Sequence, residues 1–238
     1  MKKLLLLLFL VPLAGNAQFN DILKKANEKI LGVTGGSTDI SAGLKEALNK
    51  GVTEQVSKLT ATDGFLKNKM VKIMMPGDLQ KVDKTLRKMG MGSLADDGIK
   101  SLNRAAEDAV KEATPIFVAA IKSMSIKDAK NILLGKDNAA TSYLETSTST
   151  SLYAKFLPVV KESIGKVGAD KIWNGIISKY NGLPLVSKVN PDINDYVTNK
   201  AMEGVFKMIA VEEKNIRTDL SSRTSPLLKK VFAMQDKK

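Results

Sequence analysis

The sequence predicts an all-α fold, a compact multi-helix domain with short connections and a short N-terminal helical arm. Two observations carry this. Apolar side chains recur at helical spacing in almost every window, while period-two alternation is nearly absent. Aromatics make up only 5% of the chain and Gly and Pro are modest, a composition weighted toward helix formers.

The first residues, MKKLLLLLFLVPLAGNAQ, have the layout of a secretory signal peptide. Lys2 and Lys3 precede an apolar run from Leu4 to Val11, and small residues end at Ala17, so cleavage is expected after Ala17. The run is far short of the ~20 residues a spanning helix needs, and no later segment approaches that length. The expected destination is the periplasm or cell envelope, with no transmembrane segment after cleavage. Cysteine is absent, so neither a lipid-modified cysteine nor a disulfide is available and packing alone must hold the fold. The expected layout is a signal peptide at 1–17, an amphipathic arm and Gly-rich joint at 18–38, and one helical domain at 39–238.

Within the arm, Phe19, Ile22, Leu23, Ala26 and Ile30 share one face before Gly32 to Gly36 break the pattern. Ile40, Leu44, Leu48, Val52, Val56 and Leu59 predict a helix over 40–59, with Ser37, Thr38 and Asp39 as caps in front. Asp63-Gly64 and Met74-Met75-Pro76 read as turns. Leu79, Val82, Leu86 and Met89 mark a helix behind Pro76-Gly77. A stripe from Leu94 to Ala113 stops where Thr114-Pro115 fits an N-cap and first helical position, giving a further helix to Met124. Ser125 to Asp128 resembles a capping box, with Gly135 as the stop. Ile172, Trp173, Ile176 and Ile177 predict a helix over 169–180. The longest clean pattern runs over 193–217, and a last helix opens at Ser225-Pro226.

The hydroxyl run from Thr146 to Ser151 sits between a short helical pattern at 139–145 and a longer one carrying Leu152, Phe156, Val160 and Ile164. Apolar spacing resumes at once on both sides and the run lacks Gly and Pro, which favours a joint between two helices over a flexible linker. A short strand is the alternative.

Histidine is absent as well as cysteine. That excludes Ser-His-Asp and Cys-His catalysis, zinc sites of imidazole or thiolate, and thiol redox chemistry. No cofactor is implied. The surviving enzyme reading is a hydrolase using carboxylates, among Glu107, Asp108, Glu212 and Glu213, or the pair Ser151 and Lys155 spaced four apart. Tyr143, Tyr153, Tyr180 and Tyr196 read more simply as packing side chains.

The charge map points elsewhere. Without Lys2 and Lys3 the 37 basic side chains become 35 against 25 acidic ones, a net +10. Residues 66–88 hold seven bases and two acids, and so do residues 214–238; the rest of the processed chain balances. The candidate binding residues are Lys67, Lys69, Lys72, Arg87, Lys88, Lys229 and Lys230. They fit a non-enzymatic binding or structural module of the cell envelope with an anionic or amphipathic partner such as anionic lipid, an envelope polymer or an acidic protein. The alternative is a basic surface that serves only solubility. Nucleic acid is not expected, because no aromatic residues are interleaved for stacking and the compartment is wrong.

Several stretches in fixed order carry a resemblance: GLKEAL (43–48), DGFL (63–66), NRAAEDAV (103–110), PIFVAAI (115–121), AATSYLETSTSTSL (139–152), FLPVVKESIGKVG (156–168), YVTNKAMEGVFKMIAVEEKNIR (196–217) and LLKKVF (227–232). Together they resemble the domain of unknown function 4197 family, exported bacterial helical proteins, over about four-fifths of the chain. That resemblance implies a helical domain and supplies no activity or substrate. It places Asn103, Arg104, Glu107, Glu212, Glu213, Arg217, Arg223 and Thr224 in polar motif positions, together with a Thr-rich stretch that includes Thr141 and Thr146. The expectation is a buried ion-pair network locking the helix at 94–113 against the one at 193–217, or a pocket built from the same residues. Ser221-Ser222 departs from the family pattern.

Overall fold

The computed structural model describes residues 37–88, 90, 92–166, 168, 170, 174, 178, 181–182, 188 and 192–236. The signal segment, the arm at 19–31, and Ile172, Trp173, Ile176 and Ile177 of the expected helix over 169–180 lie outside the described residues. Among the described residues the regular structure is entirely helical: α1 (Ser37–Thr60), a 3-10 turn (Gly77–Leu79), α2 (Gln80–Lys88), α3 (Gly92–Val110), α4 (Ala113–Ser123), α5 (Ile126–Leu134), α6 (Ala139–Lys166), α7 (Ile193–Thr218), a second 3-10 turn (Leu220–Ser222) and α8 (Pro226–Phe232).

The periodic apolar stripes explain the packing. α3, α6 and α7 pack on one another, α4 closes against α6, and α1 lies across α4, α5 and α7. Phe117 of α4 meets Phe206 of α7 edge to face, ring centres 5.9 Å apart, the arrangement aromatic quadrupoles favour. Leu44, Val52, Val56 and Leu59 of α1 are buried, while Ile40 and Leu48 are partly so. A second apolar cluster gathers Leu44, Ile132, Leu133, Leu228, Val231 and Phe232 where α8 docks.

α6 differs from the expected pair of helices. It is a single 28-residue helix, and the hydroxyl run is its interior rather than a joint or a strand. Thr146, Ser147, Thr148 and Ser149 each donate to the carbonyl four residues back, at 2.9, 2.7, 2.6 and 2.6 Å. Local hydroxyl bonding of this kind usually competes with a helix; here it is absorbed without interrupting the backbone ladder. Thr148, 1% exposed, fills the stripe between Leu144 and Leu152, so the apolar period runs unbroken through the polar run. Pro158 falls on the exposed face beside exposed Ala154. The carbonyl that its ring leaves unpaired at Ala154 can therefore turn to water.

Two starts shift. α1 includes Ser37 to Asp39 in its first turn. α4 begins at Ala113, with Glu112 flanking it and giving no side-chain cap, so Thr114 and Pro115 are the second and third residues of its first turn. The N–H that Pro115 lacks would have been without an intrahelical partner there anyway. The capping box at Ser125 and Asp128 forms with both reciprocal bonds, and Gly135 ends α5. Ser225 caps α8, accepting from the Leu228 N–H, with Pro226 in the first turn.

Candidate functional site

The polar motif residues do not form one network between α3 and α7. They form two clamps facing different partners. In the first, Glu107 of α3 accepts from the Phe65 and Leu66 N–H groups with one oxygen, at 3.0 and 3.4 Å. Its other oxygen accepts from Arg104, which also reaches Asp63, each at 2.5 Å. One turn earlier Asn103, wholly buried, completes the Ile73 backbone: its Oδ1 accepts from the Ile73 N–H at 2.8 Å and its Nδ2 donates to the Ile73 carbonyl at 2.8 Å. Segment 63–75 makes only isolated turns of its own, with the Lys67 N–H donating to the Asp63 carbonyl at 3.0 Å and the Lys72 N–H to the Asn68 carbonyl at 2.9 Å. The α3 side chains complete the backbone groups those turns leave open at Phe65, Leu66 and Ile73. Asp63 adopts φ 67° at its start, a conformation Asp tolerates better than most residues. The Lys67 hydrogen bond, helped by the charges of Lys67 and Arg104, holds the Asp63 carboxyl below its ordinary range.

The second clamp joins three helix ends. Glu213 of α7 accepts from the Ala140 N–H at 2.9 Å, the Thr141 N–H at 2.8 Å and the Thr141 hydroxyl at 2.8 Å, placing a carboxylate at the N-terminus of α6. Arg217, one turn on, grips Glu213 with two bonds of 3.0 and 2.7 Å. It also donates to the Ile132 and Leu133 carbonyls at the C-terminus of α5, at 2.8 and 3.3 Å. Anion at an N-terminus and cation at a C-terminus complement both helix dipoles at once. Arg223 does the same for α7, donating to the Ile216 and Arg217 carbonyls at 2.9 Å. Its counter-charge is Asp236, whose Oδ1 accepts at 2.8 Å. The Phe232 ring lies under both guanidinium groups, 5.9 Å from Arg217 and 5.5 Å from Arg223.

Glu212, partly buried, accepts from Gln55 of α1 at 3.0 Å. Thr146 is exposed and bonded to Ser142, and Thr224 accepts from Lys50 at 2.6 Å. The departure at Ser221-Ser222 leaves the local turn intact, since Asp219 accepts from the Ser221 N–H and hydroxyl at 2.8 Å.

This arrangement offers little to a hydrolase. The buried carboxylates already accept from backbone N–H groups and guanidinium groups. Asp108 is bonded to Lys111 and Ser163; burial works against its charge, but those two partners and Lys166 bring its carboxyl below the ordinary range. Ser151 and Lys155 both face solvent. Among the described residues no group of three carboxylates gathers for a metal ion, and no helix is long and apolar enough to cross a membrane. A recess of about 30 Å³ between α1, α7 and Phe232 is walled by Leu44, Leu48, Val52, Ile209 and Ile216, room for a water-sized guest.

The basic segments do not converge. α8, with exposed Lys229 and Lys230, packs on α1 at Gly43, where a Cβ would fall 2.7 Å from Val231 and 2.8 Å from Leu227. Segment 63–75 follows the opposite end of α1 at Thr60, about 26 Å along the helix at 1.5 Å per residue. Lys67 pairs with Asp63 at 2.8 Å and Arg87 with Asp83 and Asp96 at 3.1 and 2.6 Å. Lys69, Lys72 and Lys88 are exposed.

One surface gathers what the sequence reading left scattered. A groove of about 430 Å³ runs between residues 70–77 and α7, and Met70, Lys72, Met74, Tyr196, Lys200 and Lys207 are among its walls. Segment 65–71 approaches closely because Gly204 lacks a side chain: a Cβ there would lie 2.7 Å from Phe65 and 3.3 Å from Val71. Lys207 donates to the Met70 carbonyl at 2.9 Å and the Tyr196 hydroxyl to the Met74 carbonyl at 3.0 Å. Burial pushes the Tyr196 hydroxyl above its ordinary range. Both thioethers stay out, Met70 44% and Met74 49% exposed. Lys200 and Lys207 escaped the sequence reading because residues 89–213 balance in charge. Their spacing from Tyr196, four and eleven residues along one helix face, was the available signal.

A family model described as a protein of unknown function (DUF4197) matches residues 34–233. No curated protein and no solved structure matches the chain. The family match takes in every described helix from α1 to α8 and both polar clamps except Asp236, and the chain belongs to the DUF4197 family.

Proposed function

We propose that this chain is an exported, non-enzymatic binding module that settles on an anionic phospholipid surface through the groove between residues 70–77 and α7. The observation that carries the reading is the pairing of two exposed methionines with Lys72, Lys200 and Lys207, against one acid, Glu203, on the same walls. Thioethers enter the boundary between head groups and acyl chains while lysines remain with the phosphates. Each lysine near an anionic surface contributes about 1 kcal/mol. The layout of residues 1–17 supports export, and N-terminal sequencing of the secreted chain should begin at Gln18.

The test is binding of residues 18–238 to neutral and to anionic phospholipid vesicles at low and high salt. Salt-sensitive binding to anionic vesicles alone is expected, weakened by Lys72→Glu with Lys200→Glu and little changed by Lys229→Glu with Lys230→Glu. Equal binding to neutral vesicles, or no binding, overturns the reading and turns the search to an envelope polymer or an acidic protein.

A further inference from the structure

We infer that Met70 and Met74 form an oxidation site whose sulfoxides release the chain from the surface; the release, though not the site, rests on the lipid reading above. A chain with no cysteine leaves its sulfur chemistry to methionine. Met70 and Met74 are the most exposed methionines among the described residues, at 44% and 49%, with Met234 at 37%. Met124 is 3% exposed, and Met75 is half-buried, its methyl lying where a Cβ on Gly98 would come within 2.9 Å. Met208, on the neighbouring face of α7, receives the Asn68 Nδ2–H at 3.7 Å, a bond that withdraws its sulfur lone pair.

The backbone makes the two exposed sulfurs a defined pair. The carbonyl of each residue is held by α7, Met70 by Lys207 and Met74 by Tyr196, so the backbone that presents the two side chains is anchored to the helix at both places. The reaction needs a peroxide from outside. The sulfur lone pair attacks the distal peroxide oxygen, the O–O bond breaks, the departing hydroxide takes up the proton to become water, and the sulfide becomes a sulfoxide. The product is strongly polar where the thioether was apolar.

The experiment treats the processed chain, as the exporting cell yields it, with hydrogen peroxide, locates added oxygen by peptide mass spectrometry, and measures binding to anionic phospholipid vesicles before and after. Oxygen should appear at Met70 and Met74 ahead of Met75, Met124 and Met208, and binding should weaken at least about tenfold, the loss of part of two side-chain burials. Met70→Leu with Met74→Leu, compared with itself, should bind equally before and after peroxide, and loss of its binding on treatment overturns the release. Oxidation spread evenly over the buried methionines overturns the site. Selective sulfoxides with unchanged binding overturn the release. An untreated chain that ignores the vesicles, with sulfoxides still selective, overturns the lipid reading and the release while the oxidation site stands.

Discussion

Replacing Glu213 with Ala tests whether the second clamp holds the fold. The substitution removes the acceptor for two backbone N–H groups, the Thr141 hydroxyl and two bonds from Arg217. It also leaves a guanidinium whose side chain is 2% exposed without its carboxylate. Breaking one partner of a buried pair costs about 3–5 kcal/mol. At about 2–4 °C per kcal/mol for a chain of this size, the melting temperature should fall by about 6–20 °C. Glu213→Gln keeps an oxygen for one N–H and should lose less. The discriminating variant is Glu213→Leu with Arg217→Met. It removes both charges, and it should melt above Glu213→Ala because no buried charge is stranded. Thermal unfolding followed by far-UV circular dichroism reads all three. A fall under about 2 °C for Glu213→Ala, or a double variant no better than the single, would refute the clamp as a buried charge pair.

Three further outcomes follow from other parts of the fold. Ser147→Pro should destabilise by about 3 kcal/mol or more if α6 is continuous, because it removes an interior helical bond; unchanged urea unfolding would mean the helix is broken there after all. Gly204→Ala should cost about 1–3 kcal/mol as the new Cβ meets Phe65, and should loosen segment 63–75, seen as faster amide exchange at Ile73. The hydrogen bond from Arg223, with its charge, holds the Asp236 carboxyl below its ordinary 3.8. A depressed folded value means Asp236 stabilises fully above pH 3.8 and loses this as pH falls through the lower folded value. Asp236→Asn should flatten that part of the acid unfolding curve, and an unchanged acid limb would count against the Arg223 contact.

The helices were legible because burial repeats with the period of the backbone. α7 matches its apolar stripe almost to the residue and α8 opens at its expected Ser225 cap, whereas the Asp192 cap of α7 was not foreseen. α6 was misread at the one place where chemistry and position disagree. Thr148 is polar in type, yet its hydroxyl is spent on the Leu144 carbonyl, leaving its methyl to serve the core. A reading that scores residue types cannot see that bond. The candidate site divided the same way. Motif positions picked out the charged residues that matter to the fold, but not their partners, because backbone groups of residues 65, 66, 73, 132, 133, 140 and 141 carry no signature in the sequence. The groove was hidden for the complementary reason: it joins one basic segment to a helix whose charges cancel when summed along the chain.

The division of labour among the charges bears on where function can lie. Glu107, Glu213, Arg217 and Arg223 are buried, and each is bonded to backbone groups of another segment or to a helix end. A ligand could reach them only by displacing those bonds, leaving buried N–H groups and carbonyls unpaired at about 1–3 kcal/mol apiece. The motif that draws the eye therefore costs stability before it yields a binding site. Lys72, Lys200 and Lys207 face the opposite balance. Lys72 is exposed, Lys200 rests on Glu203 at 2.5 Å and Lys207 on a carbonyl, contacts that an arriving phosphate can replace at the water boundary with small loss. The clamps hold segment 63–75 where Gly204 admits it, and that placement puts two thioethers and three ammonium groups on one open face. Loosening a clamp should therefore weaken vesicle binding as well as stability: Glu107→Gln should lower both together, whereas Lys72→Glu should lower binding at unchanged melting temperature. A Glu107→Gln chain that binds vesicles as tightly as the parent would show that the groove does not depend on the clamp.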